Sequence, residues 1–366
     1  MTAPAGFPAC EQPLMHAYDV ALLDLDGVVN VGDAAVPAAP RALAAARESG
    51  MTLAFVTNNA SRRPERVAER LHGFGVPAAP REVVTSAQAG ARLLREHLAE
   101  GSRVYVCGAE ALTHEVLLRG LDVVDNADDR PHGVVQGYSP DLAYPQFVEA
   151  ALAIQNGALW VATNTDRTIP SPRGLLPGNG SLVAMVAHAT GADPLVAGKP
   201  HPALHLESME RTGARRPLIV GDRLDTDIEG AVNAGCDSLL VLTGTTTPAA
   251  LIHASPQHRP TYIDEDVAGL GIPQPEVKGM DGFSEDEDWK VAHDGTKFTL
   301  RYRRLGGHSS VHSGDGAAPT GTGHTAARVG ALRVLCAAVW SAPPSVPGTI
   351  EAGDERSRKI LDSLGL

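Results

Sequence analysis

Cysteine is scarce: four residues in 366, Cys10, Cys107, Cys236 and Cys336, with no C-x-x-C pair among them. Such spacing excludes a disulfide framework or a thiolate zinc site and fits reduced structural thiols. The 14 histidines show no paired metal-ligand spacing either. No apolar run approaches the roughly 20 residues that span a bilayer. No basic segment followed by an apolar stretch opens the chain. A soluble cytoplasmic protein without membrane insertion is therefore expected. Positive charge is in deficit, with 31 Lys and Arg against 43 Asp and Glu and a net charge of −12. That balance argues against nucleic acid as a partner. It leaves an anionic small molecule open, because a metal ion and a few local cations decide that.

A chain of this length accommodates two or three domains. Its first part alternates strand and helix: Tyr18–Val29 and Met51–Val56 read as buried strands, and 40–49 and 64–74 as helices. Later, Pro217–Val220 and Ser238–Leu242 read as strands around a helix over 226–234. This alternation implies an α/β fold with a Rossmann-like parallel sheet covered on both faces. Between these stretches lies a second alternation. Strands are expected at 104–107, 133–137 and 159–162, and helices at 109–118 and 144–156. The expected organisation is a core from 16–87 and 191–272 with an inserted α/β domain over 88–190. Residues 273–288, polar and acidic, read as a linker. A small α+β module follows over 289–366. In it, Asp294-Gly295 signals a type I′ hairpin turn, 306–323 a Gly/Ser/Thr-rich loop, and 325–340 an amphipathic helix. Packing of Val329, Leu332, Leu335 and Val339 on the hairpin would give this module its own core, and semi-independent behaviour is expected.

Four short motifs end or follow the core elements. Asp24-Leu25-Asp26-Gly27 closes the first strand, placing two carboxylates on one side of an apolar strand, which is costly without a cation or proton. Thr57-Asn58-Asn59 closes the second and could hold phosphate oxygens or cap a helix. Gly198-Lys199-Pro200 offers a point charge suited to a phosphoryl group. Gly221-Asp222, followed by Asp225 and Asp227, offers carboxylates of the kind that hold Mg²⁺. Each motif alone has an ordinary reading as a loop, cap or solvated surface. Together they can converge beyond the carboxyl ends of one sheet, where ligands of open α/β folds bind.

This set resembles the haloacid dehalogenase (HAD) superfamily, most closely its class IIA, C2-cap phosphatases. The resemblance rests on DLDGVV, FVTNN, ATNTD (162–166), PGNGSL (177–182), GKP and GDRLDTDI over about 16–270. It implies Asp24 as nucleophile, Asp26 as general acid/base, and Thr57, Asn58 and Asn59 as phosphate binders. It implies Lys199 as the lysine steadying nucleophile and phosphoryl group. Mg²⁺ would be held by Asp24, Asp222 and the carbonyl of Asp26, with Asp227 orienting metal waters. The insertion would be a C2 cap, with Asn164, Asp166 and the run 167–174 as its loop facing the site. The extra C-terminal module is similar to the GNAT-like tail of actinobacterial glycerol-3-phosphate phosphatases, which implies that substrate. Gly321-Thr322-Gly323 faintly echoes an acyl-CoA pyrophosphate loop, though a plain loop and cap is the simpler reading. Rival substrates are phosphoglycolate, pyridoxal phosphate and nucleotides, and a rival from another class is a non-catalytic binding protein on the same fold. A small phosphomonoester is the expected partner, and a homo-oligomer is left open.

Overall fold

The computed structural model describes residues 6–171, 173–303, 322–343 and 348–366. Residues 306–321 of the expected loop, Gly321 of the Gly-Thr-Gly run among them, lie outside these, and Thr322 and Gly323 instead begin a helix.

The first core strand, Val20–Leu23, is buried on both faces, as its unbroken apolar sequence requires. It lies inside a six-stranded parallel sheet. In spatial order the strands are Tyr262–Asp264, Asp237–Val241, Pro217–Gly221, Val20–Leu23, Thr52–Thr57 and Val83–Thr85. From Val20–Leu23 the chain first builds to one side and, after the insertion, returns to build on the other. The central strand and its two neighbours, Thr52–Thr57 and Pro217–Gly221, therefore flank the switch in strand order, where loops part and leave a crevice. Asp24, Thr57 and Asp222 sit at the carboxyl ends of these three strands.

The insertion forms its own parallel sheet in the order Leu195–Val196, Leu159–Ala162, Gly133–Gln136, Arg103–Cys107 and Asp122–Val124. Leu195–Val196 pairs with Val161–Ala162, so this sheet runs past the boundary expected at 190. A separate hairpin, Thr168–Ser171 with Gly174–Pro177, projects from it.

A third sheet corrects the expected linker. Val277–Met280 and Phe283–Glu285 are strands, and they join Trp289–His293, Phe298–Tyr302, Ile350–Ala352 and an N-proximal strand, Gly6–Phe7. The acidic surface character of 273–288 hid a two-stranded hairpin whose inward residues Val277 and Ser284 are fully buried. Its turn, Asp281-Gly282, carries positive φ at both residues (50° and 79°), as a type I′ turn requires. At the hairpin that was expected to use such a turn, His293 pairs with Phe298, so the loop is four residues long. There the Asp294 carboxylate accepts from the N–H groups of Thr296 and Lys297.

From Val329 to Trp340 the helix Thr322–Ser341 is buried almost all round. Ala331, Leu332, Val334, Leu335, Cys336, Ala337 and Ala338 are fully enclosed. One side packs on the third sheet and another on the core, a two-sided burial that accounts for the weak amphipathic pattern. Ile228, Leu240, Leu251, Ile252 and Ile263 of the core share a single apolar cluster with Trp289, Phe298, Leu335 and Trp340. Trp340 Nε1 donates to the Ile252 carbonyl at 3.1 Å, and Arg333 donates to the Ile263 carbonyl at 2.5 Å. The expected separate core of the C-terminal module is thus a shared one.

Candidate active site

Lys199 is almost wholly buried at the point where the motifs meet. Its Nζ donates to Asp24 Oδ1 at 2.5 Å and to Asp227 Oδ1 at 2.6 Å. Burial alone would strip its proton, but Asp227 and Asp24 overcome that and raise its affinity for the proton. Lys199 is therefore a fixed cation. Asp227 Oδ2 accepts from the N–H groups of Asp222 (3.2 Å) and Arg223 (3.1 Å). This reach back is made in a π-helical turn, Leu224–Ile228, where a plain helix had been expected to start at 226. Gly221 makes room for it, since a Cβ there would strike the Asp227 side chain.

Asp222 closes the group. Its Oδ2 accepts from Thr245 N–H at 2.6 Å, while its buried Oδ1 has no partner among the described residues. One carboxylate oxygen from each of Asp24, Asp222 and Asp227 lies within 4.8 Å of the others. Three carboxylates face one lysine there, an excess of acidic groups over cations. An all-oxygen donor set, an excess of negative charge and an orphaned buried oxygen together fit a hard divalent cation. In the metal-free protein, burial pushes Asp24 up to about 8 against the pull of Lys199, with Asp227 and Asp222 adding to the rise. Burial and then Asp227 raise Asp222 to about 6.

Asp26 stands apart from this group. Its Oδ1 accepts from Asn30 Nδ2 at 2.5 Å, within a turn in which Gly27 N–H donates to the Asn30 carbonyl at 2.6 Å. Gly27 takes φ 91°, and a Cβ on it would collide with the Asp222 carboxylate. Asp26 instead lines an open cleft with Thr57, Asn59 and Arg62. Thr57 Oγ1 accepts from Asn59 N–H at 3.1 Å, and Asn59 Oδ1 from Ser61 N–H at 2.8 Å.

Asn58 differs from expectation. Its amide nitrogen donates to the Lys199 carbonyl at 3.1 Å and to both oxygens of Asp166 at 3.2 and 3.3 Å, and its Oδ1 accepts from Lys199 N–H at 2.8 Å. The side chain is committed to joining the core strand end, the lysine loop and the inserted domain, which leaves only its main chain to meet a phosphate. Asn164 Nδ2 donates to the Asn58 carbonyl at 2.7 Å, and Asn179 Nδ2 to the Asn164 carbonyl at 2.7 Å. Burial raises Asp166 above the usual carboxylate range, opposed by the Asn58 hydrogen bond. Asn164 and Asp166 thus lie against Asn58, whereas the hairpin at 168–177 has exposed Leu175 and Leu176. Sequence reasoning missed Asn30, Asn179 and Thr245. Asn30 had a readable signal, a lone polar residue closing the apolar run after Asp26. Thr245 lies in a threonine run after a core strand, which nothing distinguishes from an ordinary loop.

Comparison with known proteins accords with this geometry. Residues 21–122 match the family model of haloacid dehalogenase-like hydrolases and 196–270 a HAD-hydrolase-like model. Residues 287–366 match a GCN5-related N-acetyltransferase like domain. The chain is 42% identical over 357 residues to the D-glycerol 3-phosphate phosphatase of Mycobacterium tuberculosis, covering 96% of each chain. It is 38% identical over 235 residues to a 5′-nucleotidase of Bacillus subtilis, covering 63% of this chain and 90% of that one. A crystal structure of the M. tuberculosis glycerol phosphate phosphatase in complex with magnesium superposes with a TM-score of 0.84 at 41% identity, covering 96% of this chain and 99% of that one. A p-nitrophenyl phosphatase from Archaeoglobus fulgidus superposes with a TM-score of 0.64 at 28% identity, covering 69% and 98%.

Proposed function

The chain belongs to the haloacid dehalogenase-like hydrolases and is a phosphatase, and from that premise we propose that it hydrolyses glycerol 3-phosphate to glycerol and phosphate with Mg²⁺. The observation that carries the substrate is the near-complete coverage of a glycerol 3-phosphate phosphatase, C-terminal module included. The nucleotidase and nitrophenyl phosphatase relatives cover only 63% and 69% of the chain.

Asp24 is assigned as the nucleophile. Its carboxylate oxygen bonds to phosphorus as the bond from phosphorus to the ester oxygen breaks. Asp26 gives its proton to the departing alkoxide, leaving an aspartyl-phosphate on Asp24. Asp26 then takes a proton from a water that attacks the same phosphorus. The bond from phosphorus to Asp24 breaks, releasing phosphate and restoring the carboxylate. Held by Asp24, Asp222 and the Asp26 carbonyl, Mg²⁺ would neutralise charge on the phosphoryl oxygens. Lys199 pulls Asp24 toward its ionised form and holds it in line, Asp227 holds Lys199 in place, and Thr57 and Asn59 present donors to the phosphate. Asp166, bonded to Asn58, is assigned to contact the leaving group. The same reading makes the enzyme cytoplasmic and divides it into core, cap and a C-terminal unit that begins at Val277.

The test is release of inorganic phosphate from glycerol 3-phosphate, phosphoglycolate, pyridoxal phosphate and nucleoside monophosphates at equal concentration. Glycerol 3-phosphate is expected to rank first, EDTA to stop turnover and MgCl₂ to restore it. Asp24→Asn is expected to fold normally by circular dichroism and to hydrolyse nothing. A nucleotide ranking first would replace the substrate, turnover by Asp24→Asn would reject the covalent route, and inactivity of the wild-type protein on every ester would favour a binding role.

A further inference from the structure

Most cations close to the catalytic group are committed to acids. Lys199 lies between Asp24 and Asp227. Arg223 holds Asp225 with two nitrogens, at 3.1 and 2.9 Å. Arg63 makes a two-pronged contact with Glu110. The open cleft beside Asp26 has two arginines in its wall, Arg62 and Arg70. Arg70 donates to the Gly32 carbonyl at 2.7 Å and reaches Asp33 Oδ1 at 3.4 Å. Arg62 is exposed and has no hydrogen bond, ion pair or ring contact among the described residues.

The chain on either side of Arg62 is held firmly. Before it, Asn58 is bonded to Lys199 and Asp166, and the Asn58 carbonyl accepts from Ser86 Oγ and Asn164 Nδ2. Asn59 Oδ1 then accepts from both the N–H (2.8 Å) and the hydroxyl (2.9 Å) of Ser61, closing a tight turn directly before Arg62. After it, Pro64 opens the helix Pro64–Gly73 with its first φ already set. Only the side chain's own freedom is lost when a guanidinium on such a base takes a ligand. Arg62 shares its wall with Asp26 and with Thr57 and Asn59, the donors assigned to the phosphate. A dianion entering there meets the Asp26 side chain, and an uncommitted cation on the same wall offsets that repulsion. A guanidinium also matches two phosphate oxygens at once.

We propose that Arg62 is a substrate-binding residue whose guanidinium takes the phosphate dianion of the incoming ester beside Thr57 and Asn59. The contact rests on the phosphatase reading and is indifferent to the alcohol, because phosphate is the part that all the esters share. Loss of one exposed charge-assisted contact weakens binding about tenfold.

The test uses the full chain with MgCl₂ at low and high NaCl. It measures inhibition by inorganic phosphate, phosphate binding by calorimetry, and KM and kcat for glycerol 3-phosphate and p-nitrophenyl phosphate. Arg62→Gln is expected to keep the wild-type Tm, to raise both KM values and the phosphate Ki alike by about tenfold, and to lower kcat by less than about twofold. Salt should weaken phosphate binding less in Arg62→Gln than in the wild type. Arg62→Lys, which keeps the charge without the two-pronged geometry, should recover part of the loss. Arg66→Gln is the charge-matched control: Arg66 pairs with Glu69 outside the cleft wall, and its loss should leave phosphate binding as in the wild type. Wild-type phosphate binding in Arg62→Gln would overturn the proposal. So would a KM rise for glycerol 3-phosphate alone, which would put Arg62 on the alcohol, or an equal loss in Arg66→Gln, which would replace the contact by a long-range field. The calorimetric arm uses no ester, so its outcome is separate from the choice of glycerol 3-phosphate as substrate.

Discussion

Lys199 carries its charge in a place where a charge survives only with partners, and Asp24 and Asp227 are those partners. Asp227→Asn removes one carboxylate from a buried cation. The expected cost is about 3–5 kcal/mol in urea unfolding, with turnover falling alongside it. These residues were legible because their types and order form a set, and chemistry that needs a cation cradle leaves few substitutes. The orientation of Asn58 was not legible, because its amide partners, Asp166 and Lys199, lie 108 and 141 positions away. His205 makes a second residue-scale prediction. It is buried, neither ring nitrogen has a hydrogen-bond partner among the described residues, and burial with nearby Lys199 lowers it to about 3. A histidine depressed in the folded state is protonated more readily when unfolded. Its contribution is therefore intact above about pH 6.5 and is lost as pH falls from there toward 3, by at most about 5 kcal/mol. His205→Leu should flatten that acid limb in denaturation curves at stepped pH. An unchanged difference between variant and wild type from pH 7 to pH 4 would refute it.

At the scale of elements, the strands of core and cap were readable because unbroken apolar runs between turns leave few alternatives. Edges were less so: the first core strand stops at Leu23, where the carboxylates begin, and Leu195–Val196 is too short to announce itself. The hairpin at 277–285 was missed because its buried face carries Gly279 and Ser284 beside Val277 while the large apolar Met280 faces solvent, so no apolar alternation shows in the sequence. The cap loop gives an element-scale prediction. Asp166 is bonded to Asn58 beside the lysine, while Leu175 and Leu176 in the same stretch face solvent. Exchanging 166–176 for the equivalent stretch of a nucleotidase relative should reorder the substrates in a phosphate-release panel, and the Mg²⁺ requirement should remain. Loss of the Mg²⁺ requirement instead would place this loop in the metal site.

For the whole molecule, the shared cluster changes what the C-terminal residues are for. A chain ending near Gln274 would leave Leu251, Ile252 and Ile263 facing water, so it should aggregate or show a broad, non-cooperative melt. Trp340→Ala, which deletes an indole packed on Phe7 and bonded to the Ile252 carbonyl, should cost about 3–5 kcal/mol with the catalytic groups untouched. A soluble, cooperatively melting truncation with full activity would restore the picture of an independent module.

The pairing of Gly6–Phe7 with Val277–Lys278 bears on synthesis. On a ribosome adding about 5–20 residues per second, Phe7 waits on the order of 13 seconds to a minute for its partner strand to be made. The core and cap can form during that interval, but the third sheet cannot close until almost the entire polypeptide has emerged. Ile252 and its neighbours stay uncovered meanwhile, so the nascent chain passes through a stage in which the catalytic fold exists and its apolar seam is open to chaperones. Slowing translation downstream of codon 277 should lengthen that stage and lower the yield of native enzyme, whereas slowing it before codon 200 should not.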